Sequence, residues 1–148
     1  MLGGLKSDMK LHKKEIAKRQ IETALELFFS SGDPISIITL AGAGEEILGK
    51  LLSRAGKKNM MDHLVSLDKK LTGSGRDFKI INEEVNGIRN SLKHTNNPSE
   101  DEIEFDSDHA IAMLARAVVN YTLVEGNATD KMSQFYEHLK SLHPDVLP

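Results

Sequence analysis

Apolar residues recur at three- and four-residue spacing along almost the whole chain, and that rhythm constrains the fold more than any other feature. In "EIAKRQIETALELFF", Ile16, Ala17, Ile21, Ala24, Leu25 and Phe28 fall on one face of a helix. "SGDP" interrupts the pattern. Asp33 is suited to cap the next helix, and Pro34 fits its first turn, where a missing N–H costs nothing. The second helix is expected from about Pro34 to Arg54, stopping at Gly56. A third is expected over about Asn59–Leu71, followed by a flexible "GSG" joint at 73–75. A fourth covers about Asp77–His94, a fifth about Asp108–Glu125 up to Gly126, and a sixth about Asp130–Leu142. The sixth carries Met132, Phe135, Tyr136, Leu139 and Leu142 on its inward face. Between the fourth and fifth lies the acidic loop "NNPSEDEIEFDSD", in which "EIEFD" could add a short edge strand. The expected fold class is all-α: an up-and-down bundle of about five to six helices. No repeat, linker or low-complexity tract divides residues 1–148, so a single domain is expected.

Composition narrows the functional classes. With 39% hydrophobic and 28% charged residues, the chain reads as a folded domain and not as a disordered one. A formal charge of −3 offers no global attraction to a polyanion, so nucleic-acid binding would have to be local. There is no cysteine, which removes disulfides and thiolate metal sites. The first twenty residues carry charges throughout and do not read as a signal peptide. No run reaches the ~20 apolar residues of a membrane span. The expectation is a cytoplasmic protein with no membrane partner.

Two familiar site patterns are set aside. "SIITLAGAGEEIL" has Gly-x-Gly after an apolar run, but the dinucleotide fingerprint needs a third glycine where Ile47 stands. Gly42 and Gly44 are read instead as helical positions that let neighbouring helices approach closely in a central, buried helix. Glycine there costs ~1 kcal/mol against alanine, so tight packing should offset it. A carboxylate-bridged metal centre in a bundle needs Glu-x-x-His on two helices. None of the six histidines has a glutamate three positions earlier. Asp106 and His109 keep the spacing, but at a loop-to-helix junction, where aspartate ordinarily caps. No metal and no cofactor are expected.

The fourth helix has two faces. Phe78, Ile81, Val85, Ile88 and Leu92 form one narrow apolar stripe, with Arg89 just beside it. Glu83, Gly87, Asn90 and His94 fall on the opposite side. The ordinary reading of such a face is solvent. The sharper one is a second contact surface, with Gly87 and Asn90 at a homodimer interface. Arg89 and His94 lie about 140° apart on a regular helix, so they converge only if the helix end loosens or two copies combine.

The hexapeptide Arg89-Asn90-Ser91-Leu92-Lys93-His94, at the end of a long amphipathic helix, resembles the Arg-x4-His motif of the HEPN superfamily. The helix order is similar across roughly the whole chain, while the motif covers six residues. "TLAGAGEEILGKLL" also resembles a segment of small bacterial proteins with such a bundle. The resemblance implies a bundle that dimerises through its motif helices. It implies a metal-independent ribonuclease of toxin–antitoxin, phage-defence or RNA-processing type, or else a bundle that keeps the fold without catalysis and binds a protein or nucleotide. Under it, Arg89 and His94 are the catalytic pair, Asn90 and Lys93 support them, and RNA and an antitoxin protein are the partners. A tyrosine that one toxin branch carries two positions after the histidine is here Asn96.

The chemistry suits those groups. RNA brings its own nucleophile, the 2′-OH, and a histidine titrates near neutrality. The planar guanidinium of arginine matches charge developing on phosphorus. Because neither residue lies in the apolar stripe, replacing either is expected to leave the fold intact. The acidic run between Glu100 and Asp108 would oppose RNA if it folded beside the motif. Lys6, Lys10, Lys13, Lys14, Lys18 and Arg19 form a basic cluster that could compensate, or simply a solvated face.

Overall fold

The computed structural model describes residues 9–57, 78–94 and 98–142. The helix expected over 59–71 and the joint at 73–75 lie outside the described residues. The fold is all-helical, with five helices among the described residues: α1 (Lys13–Phe29), α2 (Pro34–Arg54), α3 (Phe78–Lys93), α4 (Ser107–Glu125) and α5 (Asp130–Leu142). A single 3₁₀ turn at Pro98–Glu100 follows α3.

Local chemistry sets the ends. Asp33 accepts from the backbone N–H groups of Ile35 and Ser36, both at 3.3 Å, and Pro34 opens α2. His12 caps α1 through Nδ1, which accepts from the Lys14 N–H. Gly126 closes α4 in the left-handed region at φ 85°, a conformation that favours glycine. Asp106 and His109 form a reciprocal capping box at the start of α4, as their position at the junction suggested. The short strand expected in "EIEFD" is absent: residues 102–106 are irregular, and Asp106 is used as the cap.

The core lies where α1, α2 and α4 meet. Ala17, Ile21, Ala24 and Leu25 of α1 face Ile37, Ile38, Ala41 and Leu48 of α2 and Met113, Leu114 and Ala117 of α4. α4 is buried along most of its circumference, so it shares the central position expected for α2. Gly44 brings α1 and α2 close together. A Cβ there would stand 2.8 Å from Ile21 Cγ1 and 3.1 Å from the Ala17 carbonyl oxygen. α3 packs on α4 and α2 through Val85 and Ile88, with Leu92 half-buried. α5 lies on α1 and buries Met132 and Phe135. Tyr136 and Leu142, read as inward, are exposed: the buried stripe of α5 is narrower than its apolar sequence. No helix among the described residues is long and apolar enough to cross a membrane.

Candidate functional site

Arg89 does not reach toward His94. It leaves α3 on the α2 side, and its Nη1 donates to Glu45 Oε2 at 2.6 Å. Its aliphatic stem lies in the space left by Gly42, where a Cβ would stand 2.8 Å from Arg89 Cδ. The close approach expected at Gly42 is therefore made by a side chain of α3.

Glu45 is itself buried, and its second oxygen serves another arginine. Arg116 of α4 donates through Nη2 to Glu45 Oε1 at 3.0 Å and through Nη1 to Asn86 Oδ1 at 2.6 Å. Arg116 is only 2% exposed. Asn120, one turn further along α4, donates to the Glu45 backbone carbonyl at 3.3 Å. One carboxylate thus holds two guanidinium groups, and the trio carries a net positive charge. Burial pushes Arg116 below the ordinary guanidinium range. Glu45 opposes that shift, and the neighbouring charge of Arg89 adds to it. The Nε atoms of Arg89 and Arg116 are buried without a hydrogen-bond partner among the described residues.

An open depression of about 310 Å³ lies over this network, lined by α2 and α3 with Arg116 of α4 beneath. At its rim, Glu46 accepts from Lys93 at 2.8 Å and pairs with Lys50 at 3.5 Å. Lys93 in the first place, with Lys50 second, holds the Glu46 carboxyl below its usual range.

The remaining motif residues lie elsewhere on α3. His94 is exposed, directly after the last helical residue. Gly87 and Asn90 are exposed on the outer face with Glu83, as the periodicity indicated, and a Cβ on Gly87 would meet nothing within 4 Å. Lys93, expected beside His94 as a supporting cation, is occupied by Glu46. The structure therefore brings Arg89 together with Glu45 and Arg116, and leaves His94 apart from them in solvent. Because Arg89 joins α3 to α2, it is a structural residue whatever else it does, contrary to the expectation that it could be replaced freely.

Sequence reading missed Glu45, Asn86 and Arg116. One signal was present: Arg116 stands alone in "AIAMLARAVV", and an arginine in the middle of an apolar helix needs an acidic partner. Among the described residues no group of three or more His, Asp or Glu side chains could hold a metal ion. Comparison with protein-family models, curated proteins and solved structures finds no match to this chain.

Proposed function

We propose that the protein is a metal-independent endoribonuclease of the HEPN type that works as a homodimer. The observation that carries this reading is the two-sided exposure of α3. Its inner face is spent on the core, while Glu83, Gly87, Asn90 and His94 stay open to solvent along one outer face. A second copy packing there would set two His94 side chains on one surface. In the reaction, His94 takes the proton of an RNA 2′-OH, and the 2′-oxygen bonds to phosphorus. The 5′-oxygen leaves and is protonated by a protonated histidine, giving a 2′,3′-cyclic phosphate and a 5′-hydroxyl. The guanidinium of Arg89, held by Glu45 on the α2 side of α3 and apart from His94, favours the additional negative charge on the phosphoryl oxygens through its field and not by contact.

A second reading is a non-catalytic bundle that binds a protein or nucleotide. It is favoured by a specific observation: Arg89 Nη1 is already engaged by Glu45, so the motif arginine serves the core first. One experiment separates the two. The purified chain, incubated with single-stranded RNA and a chelator, is expected to cut RNA, to spare DNA, and to lose cutting in His94→Ala. Sedimentation is expected to give twice 16.4 kDa. Uncut RNA, or equal cutting by His94→Ala, would remove the ribonuclease reading and leave the second.

A further inference from the structure

We propose that the depression between α2 and α3, with Arg116 beneath it, is a phosphate-binding site. The proposal deepens the RNA reading by giving the molecule an anion subsite on the α2 side of α3, yet it does not require that RNA be cut.

The first reason is a charge imbalance. The buried network of Arg89, Glu45 and Arg116 carries one positive charge in excess. Here Arg89 and Arg116 share Glu45, one through each carboxylate oxygen. Lys50 and Lys93 likewise share Glu46 at the rim. The buried part therefore keeps an excess of one positive charge, with two exposed lysines at the rim, in a protein whose overall charge is −3. An uncompensated buried charge is costly, and an anion arriving above it would relieve that cost. Burial and the charge of Arg89 both disfavour ionised Arg116, which an approaching anion would reverse.

The second reason is access and donor chemistry. The floor is positive but enclosed, so Arg116 acts through its field and not by contact. The donors lining the depression are the ammonium of Lys50, the hydroxyl of Ser53 and the Asn86 amide, with the largely buried guanidinium of Arg89 beside them. Lys50 has a side chain 77% exposed and its pair to Glu46 is long, at 3.5 Å, so its ammonium can turn inward. The depression is open to solvent, so a phosphate can settle on it while keeping part of its hydration. Glu45 and Glu46 also line the space, and both are already occupied by cations. The shared chemistry is a phosphate group, from a polynucleotide backbone or from a free di- or triphosphate.

The test is an NMR titration of the full chain with inorganic pyrophosphate and, separately, with a short single-stranded oligoribonucleotide. Saturable shifts at Gly49, Lys50, Ser53 and Asn86 are expected. Lys50→Ala should weaken binding about three- to fivefold, and Lys50→Arg should largely restore it. Lys131→Ala, a lysine paired with Glu26 away from the depression, should bind as the parent does. Pyrophosphate binding without oligonucleotide binding supports the site with a free phosphate ligand. Competition between the two supports it with a polynucleotide. Absence of saturation with both probes overturns the proposal, as does equal weakening by Lys50→Ala and Lys131→Ala. Saturable binding without RNA cleavage would retire the ribonuclease reading while leaving this site in place.

Discussion

Arg89 and Glu45 meet at 2.6 Å, and that contact fixes α3 to α2 from a position a motif search would assign to catalysis. Glu45 also carries Arg116, so removing it strands two guanidinium groups, one of them almost wholly buried. Breaking a buried pair by deleting one partner typically costs about 3–5 kcal/mol. Glu45→Ala is therefore expected to lose that much in urea denaturation. Arg89→Met should lose clearly less, because its stem still fills the space beside Gly42 and Glu45 keeps Arg116. A loss under about 1 kcal/mol for Glu45→Ala would mean the network does not hold the helices.

The glycines give opposite predictions on two helices. Alanine at Gly44 would press on Ile21 and on the Ala17 carbonyl, and backbone cannot swing away. Overpacking of this kind costs about 1–3 kcal/mol, partly offset by the ~1 kcal/mol that alanine gains in a helix. A net loss is expected. Gly87 has open space around it, so Gly87→Ala should stabilise the single chain by up to ~1 kcal/mol. Gly87→Arg should keep helix content by circular dichroism and weaken self-association. If sedimentation of parent and Gly87→Arg is the same, the outer face of α3 is not an interface.

Much of the fold was legible in the sequence, for reasons that can be named. Asp33–Pro34 and Gly126 mark helix ends because their effects are local, and Val85 and Ile88 follow from period alone. The site was less legible. Arg89 sits beside the stripe by angle, but only the packing of α2 decides whether its head turns to solvent or to Glu45. Glu45 looked like one of two adjacent helical glutamates. That Glu45 is buried and Glu46 is not depends on α4, 71 residues away at Arg116. "EIEFD" alternates as a strand does, yet Asp106 is claimed by the capping box, and no partner strand exists among the described residues.

His109 joins the start of α4 to α3. Its Nδ1 accepts from the Asp106 N–H at 2.9 Å, which leaves Nε2 to carry a proton toward Glu84 Oε2 at 2.6 Å. The residue is 5% exposed. His109→Ala should lose about 1–3 kcal/mol, from the cap and the bond to Glu84 together. Glutamine at this position can still reach back to the N-cap N–H, so His109→Gln should recover part of the loss. Equal unfolding midpoints for the two variants would show that the capping bond contributes nothing.

Acid should loosen the rim of the depression. Lys93 and Lys50 hold Glu46 below its ordinary value of 4.5, so the unfolded chain binds more protons than the folded one near that pH. Stability from this group is present above about pH 4.5 and falls as pH drops through the lowered folded value. Asp33, lowered first by its bond to Ser36, acts with the same sign at the cap of α2. Thermal midpoints measured between pH 6 and pH 3 should fall, and Glu46→Gln should fall less steeply. A parallel decline in the variant would assign the acid sensitivity to other carboxylates.

The two motif residues should separate when stability and activity are measured together. His94 is exposed beyond the end of α3, so His94→Ala should stay within about 0.5 kcal/mol of the parent in urea denaturation. Any loss of RNA cleavage in that variant is then a loss of chemistry. Arg89→Lys keeps the charge but not the planar fork that reaches Glu45, so it should lower stability and cleavage together. Cleavage normalised to the folded fraction decides the role of the arginine. If normalised cleavage by Arg89→Lys equals that of the parent, Arg89 is structural and His94 must draw its phosphate-stabilising cation from another residue or from the second copy.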